Sequence, residues 1–202
     1  MLKPASSLAA HPGAIRRLGG IAVLWAGMTA MPGIGMPILE NRETEEFAVK
    51  AQILVKLIPY VRWPEVPNPG GASLVIAVVG SSPFQDHLDR YIQQNPSVQG
   101  RSLRVIYVPQ MTDDLTCDLL FICPSQYRAS KAILERTRGR AILTVADDKR
   151  LAKSGVMVSL LVLEDNKVHI VLNRRVAQAE HLDFSSLLLR MAKIVDTPPP
   201  GP

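Results

Sequence analysis

LVIAVVGSSPF, residues Leu74 to Phe84, sets six consecutive apolar residues against a glycine, two serines and a proline. A run that is apolar at every position has no wet face, so it reads as a strand buried on both sides. Nucleotide-binding domains often open with such a strand. A phosphate loop, however, needs G-x-x-x-x-G-K-[ST], and a dinucleotide turn needs G-x-G-x-x-G. Neither is present. Local chemistry accounts for the residues instead: Gly80 ends the strand, Ser82 caps the next helix and Pro83 takes the first helical position. The N-terminus of that helix is still a place where an anion can sit.

Working outward, helix Pro83–Gln94 follows, then strand Leu103–Val108, strand Leu119–Cys123, helix Ser125–Arg138, strand Ala141–Val145 and a short helix around Lys149–Lys153 that ends at Gly155. VMVSLLVLEDNKVHIVLN reads as a hairpin with Asp165 and Asn166 in the turn. RRVAQAEH and FSSLLLRMAKIV close the chain as helical segments, with Ser185 and Ser186 as a cap. Alternating strands and helices, with strands apolar on both faces, predict one α/β domain. Its mixed sheet has about six strands covered by helices and includes the C-terminal hairpin. The domain is expected over residues 44–196, before a disordered Pro-rich tail at 197–202.

Upstream, TEEFAVKAQILVKLIPYVRWP predicts a helix over Thr44–Arg62, stopped by Pro64. Phe47, Ala51, Leu54, Ile58 and Val61 recur at helical spacing, and Val49, Ile53, Leu57 and Tyr60 form a second apolar face. Two such faces cannot both meet one sheet, so the second is expected to meet another subunit or a receptor. Tyr60 and Trp63, at the helix end, either cover the core edge or serve as exposed anchors for a partner.

The chain of 202 residues is 47 % apolar and 20 % charged, which suits an ordered domain with a real core. Its net charge of +5 is largely N-terminal. Lys3, Arg16 and Arg17 are three of the 23 basic residues and no acid precedes Glu40, so beyond residue 35 the balance is 20 against 18. With 5 % aromatic residues and no basic stripe, a nucleic-acid binder is not indicated. Arg16 and Arg17 precede an uncharged run from Leu18 through Leu39, a secretory pattern with small residues at Gly33-Ile34-Gly35. Residues 1–35 are therefore read as a signal peptide. The rival reading is an uncleaved anchor, interrupted by glycines and prolines.

The sequence carries no catalytic, cofactor or metal motif. His11, His87, His169 and His181 are scattered, with no ligand-like cluster. Asp147 and Asp148 resemble an acidic pair but stand where a short helix begins, as a cap would. Cys117 and Cys123 sit in TCDLLFIC. If that segment is one strand, their Cα atoms lie roughly 20 Å apart, against a disulfide reach of under about 7 Å. They are read as buried thiols; a pair would mean that the strand assignment is wrong.

Taken together, VKAQILVKLIPYVRWP, LVIAVVGSSPF, VQGRSLRV, CDLLFICPSQ, RAILTVADD, SGVMVSLLVLEDNKVHIVLN and LDFSSLLLRMAKIV resemble, in order and spacing, the YfiR-like family. Tyr60, Trp63 and Pro64 match its aromatic-x-x-Trp-Pro ending, Asn173 its asparagine after the hairpin, and Ser185, Ser186, Leu188 and Leu189 its Ser-Ser-x-Leu-Leu element. The resemblance implies a periplasmic, non-enzymatic regulator that binds the periplasmic domain of an inner-membrane diguanylate cyclase and represses cyclic-di-GMP output and biofilm behaviour. Homodimers are expected, with Val49, Ile53, Leu57, Tyr60 and Trp63 as partner contacts. No nucleic acid, no cofactor and no direct membrane insertion after signal cleavage are expected. Some members carry disulfides that govern their state, a mechanism that two cysteines so placed do not support. The second reading is a small-ligand sensor for another receptor, using the Gly80–Pro83 turn or an apolar cleft. Export predicts a periplasmic product whose intact mass begins near Met36; a full-length product held in the inner membrane would establish the anchor.

Overall fold

The structure, a computed structural model, describes residues 37–64 and 73–196. The expected signal (1–35), the tail (197–202) and most of the loop after Pro64 lie outside the described residues. The main sheet has eight strands, β2 (Ser73–Val79), β3 (Ser97–Val98), β4 (Arg101–Val108), β5 (Leu119–Ile122), β6 (Leu143–Ala146), β7 (Val158–Val162), β8 (Val168–Asn173) and β10 (Lys193–Val195). Their order is β10-β8-β7-β6-β5-β2-β4-β3. A separate two-stranded ribbon pairs β1 (Val61–Arg62) with β9 (Asp183–Phe184). The helices are α1 (Pro37–Leu57), α2 (Phe84–Gln94), α3 (Ser130–Thr137), α4 (Lys149–Lys153), α5 (Arg174–Ala179) and α6 (Ser186–Met191).

The sheet is wound around β2. Leu74, Ile76 and Val78 pack with Leu54 of α1, Ile58 of the turn after it, and Phe84 and Leu88 of α2. Ala77 and Val79 pack on the opposite face with Ile133, Leu134 and Leu151 from α3 and α4. Alternation along one strand thus supplies two cores. β2 runs parallel to β4 on one side and to β5 on the other. The crossover β2–α2–β4 puts α2 on one face and β5–α3–β6 puts α3 on the other, so the winding reverses between β2 and β5. In open α/β sheets, ligands collect beyond the carboxyl ends of the strands at such a reversal.

Here that crevice is filled by the chain itself. Gly80 takes φ +97°, and a Cβ there would stand 2.5 Å from Ser125 Oγ and 2.7 Å from Gln126 Cγ. Ser81 N–H donates to Ser125 Oγ over 3.0 Å, and the Gln126 amide donates to the Pro109 carbonyl. Ser82 Oγ accepts the Phe84 N–H, as a capping residue does, although Pro83 directly precedes the helix. The turn after β2 is a closure, not a cradle.

The six expected strands are all present, and the hairpin forms with Asn166 at φ 55°. Asp148 caps α4 through the N–H groups of Arg150 and Leu151, and Ser185 caps α6. Three expectations are corrected. The first helix begins at Pro37, not Thr44, and ends at Leu57, because Ile58–Tyr60 tightens into a 3-10 turn around Pro59, which has no N–H to extend the α-ladder. The helix expected over Ser125–Arg138 starts as a 3-10 segment, Pro124–Ala129. The end of FSSLLLRMAKIV leaves the helix to form β10 beside β8, where β-branched Ile194 and Val195 complete the sheet. Gly80→Ala is expected to cost on the order of 1–3 kcal/mol in urea unfolding, through left-handed strain and the Ser125 contact. A change under about 0.5 kcal/mol would show that the closure yields freely.

Candidate functional site

α1 lies over one face of the sheet, packed against α2 and reaching β8. Its inward positions are Ala51, Leu54, Val55 and Leu57, all buried and continued by Ile58 in the turn that follows, together with one residue that breaks the pattern. Lys50 is 3 % exposed. Its ammonium bonds Asp147 over 3.2 Å, at the end of β6, and pairs with Glu46 one turn back on α1. The Asp147 side chain is 3 % exposed, and its Oδ1 has no hydrogen-bond partner among the described residues. Burial pushes the Asp147 carboxyl above its usual range, while Lys50 pulls it back. Asp147 and Asp148 therefore divide the work: Asp148 caps a helix and Asp147 pins α1 to the sheet. The periodic pattern hid this link, because Lys50 falls between two apolar faces with its partner 97 residues away.

The five expected contact residues do not share one open face. Val49 is 42 % exposed. Ile53, Tyr60 and Trp63 are half-buried and pack against the core edge. Leu57 is buried in the chain's own core. The physical reason is helix geometry: Leu57, still within α1, stands three positions from Leu54 and so shares its inward arc. The second face is thus split between two clefts. Val49 lines one of about 650 Å³ with the β7–β8 hairpin, and Tyr60 lines another of about 340 Å³ with Val55, Tyr91 and Val98.

Both cysteines are free, Cys123 buried and Cys117 partly so. Burial pushes each thiol up to about 12, with Arg140 partly opposing this at Cys117. The thiolate, the reactive form, is thereby suppressed. Among the described residues, no group of three His, Cys, Asp or Glu side chains is placed to hold a metal ion. His169 pairs with Asp165 at the hairpin tip instead. No described helix is long and apolar enough to cross a membrane.

The arrangement is an α/β scaffold whose switch-point crevice is closed and which has two open clefts beside α1. The YfiR/HmsC-like family pattern matches residues 47–193, from the first helix to the last strand. The chain belongs to the YfiR/HmsC-like family. The family is one of periplasmic regulators in cyclic-di-GMP signalling that act with a membrane partner, rather than of catalysts. Its asparagine after the hairpin has a structural role here: Asn173 is buried and its side chain accepts the Val176 N–H, starting α5. A search of curated proteins gave no match. Among solved structures, the chain is similar to the ABC domain in complex with L-Trp from Streptococcus pneumonia, at 10 % identity and a TM-score of 0.52. The match covers 74 % of this chain and 60 % of that one. At that identity the likeness is one of fold.

Two outcomes follow. Asp147→Ala should cost about 1.5–3 kcal/mol in urea unfolding, since it leaves the buried Lys50 only Glu46 as a partner, and the double change Lys50→Met with Asp147→Leu should restore most of that. A double variant as unstable as the single would show that the pair itself, and not the weakly compensated charge, holds α1. The raised thiols also set a sign for pH. Between about pH 8.5, where an unfolded thiol ionises, and about 12, where the folded ones do, the unfolded chain loses protons first. Stability should fall across that window, and the Cys117→Ala/Cys123→Ala variant should lose part of the dependence in denaturation measured from pH 8 to 10.5.

Proposed function

We propose that this protein is an exported regulator that binds the periplasmic domain of an inner-membrane diguanylate cyclase and holds it inactive, lowering cyclic-di-GMP. The observation that carries the reading is the family match from Phe47 to Lys193. The geometry supports it in two ways. The carboxyl-end crevice, where an α/β domain usually keeps a ligand, is filled by Ser125 and Gln126. The open apolar side chain on the outer side of the first helix is Val49, at the mouth of the larger cleft. A surface of this kind suits recognition by contact.

Val49 is also the residue on which to test it. Ile53 packs against the core, so a charge there would disturb the fold as well as any interface. Val49→Asp should leave the circular dichroism unchanged, weaken binding to the cyclase's periplasmic domain by about tenfold or more, and raise cellular cyclic-di-GMP. A folded Val49→Asp protein that binds and represses as the wild type does would place the contact elsewhere.

A further inference from the structure

We infer that the face of the sheet opposite α1 carries a docking surface for an anionic lipid bilayer, built by the 3-10 segment Pro124–Ala129, the start of α3, and α4. Two contacts set these elements side by side. The Arg150 guanidinium lies over the Tyr127 ring, 4.6 Å from its centre. Ser130 Oγ stands 3.5 Å from the Oγ of Ser154, the residue after α4. Tyr127 and Ser130 thus run beside Arg150 and Ser154, and their neighbours in the chain come together with them. Ile133, Leu134 and Leu151 turn inward to the core under Ala77 and Val79. Arg128, Lys131, Arg150 and Lys153 stay exposed on the outer side. Because the two halves come from separate segments, the patch forms no stripe in the sequence.

The charges on this surface do not cancel. Asp148 is its one acid, and it is paired with Arg150. Arg128, Lys131 and Lys153 have no ion-pair partner among the described residues, so three positive charges are in excess. The rest of α3 leaves that balance unchanged, with Glu135 paired to Arg138 and Arg136 to Asp113. Lys149 is outside it, because it shares a cleft with Glu164 and Asp165 of the hairpin tip. A protein partner would want an apolar centre as well as charge. Tyr127 is the only large apolar residue exposed there among the described residues. Tyrosine, with an apolar body and a polar tip, suits the headgroup level of a bilayer, and lysine and arginine suit anionic headgroups. The contact is peripheral and inserts nothing into the hydrocarbon. A bilayer is at hand, since the family acts with a membrane partner. Val49 lies on the α1 side of the sheet, so the two surfaces do not compete.

The test sediments the protein recovered from the periplasm with vesicles of phosphatidylcholine, alone or with about 30 % phosphatidylglycerol. At about 50 mM salt the anionic vesicles should bind it on the order of a hundredfold more strongly, since each basic side chain near such a surface is worth roughly fivefold. The preference should shrink at about 300 mM salt, where screening is stronger. Lys131→Gln with Lys153→Gln should cut binding about 25-fold with unchanged circular dichroism; if that variant does not fold, Arg128→Gln alone should cut it about fivefold. Basic residues elsewhere are common to all three proteins and drop out of the comparison. Equal binding to both kinds of vesicle, or a folded variant that binds anionic vesicles as the wild type does, would overturn the inference. Capture of the cyclase's periplasmic domain that these variants lose, without vesicle binding, would also overturn it and assign the surface to an acidic protein. Vesicle binding that the variants lose, in a protein whose deletion leaves cyclic-di-GMP unchanged, would uphold the surface and remove the regulator reading.

Discussion

Everything in this molecule depends on the two-sided burial of β2. Ile76, Ala77, Val78 and Val79 are wholly buried, and no residue from Leu74 to Val79 is more than 8 % exposed. A strand with two apolar faces is stable only when both are covered, and fully burying one such side chain is worth roughly 1.5–3 kcal/mol. That requirement calls for helices on both sides, which calls for crossover connections and parallel neighbours. α2 and α3 answer it from opposite faces. α1 answers it as well, and the Lys50–Asp147 link sets where along the sheet α1 can lie.

Much of this was legible in the residues because it is local or periodic. The apolar run of β2, the cap at Asp148, the turn at Asn166 and the cap at Ser185 follow from neighbours a few positions apart. What escaped was non-local. Lys50 looks like an ordinary helix lysine until Asp147 comes beside it from the end of β6. β10 looked helical because LLLRMAKIV has no breaker, and only the vacant edge of β8 draws Lys193–Val195 into the sheet. Leu57, expected on the outer face, is buried because the inward arc of α1 is wide: it stands three positions from the buried Leu54 on the same helix.

The functional picture follows from what is closed and what is open. The switch-point crevice is shut by Ser125 and Gln126, and both thiols are held protonated by burial. The open features beside α1 are Val49 and its cleft, which faces the β7–β8 hairpin. Because Lys50 sits one residue from Val49, the ion pair that docks α1 also fixes where Val49 stands. Under the proposed regulator reading, stability and recognition are thereby coupled through a single turn of helix.

The regulator account makes repression, and not catalysis, the output of this fold. Its most direct measurement is cyclic-di-GMP in cells lacking the gene, with and without the membrane cyclase that this protein is proposed to bind. The account predicts that the deletion raises cyclic-di-GMP only while the cyclase is present, and that restoring the wild-type protein returns it to the starting level. An unchanged level, or a rise that persists without the cyclase, would contradict it.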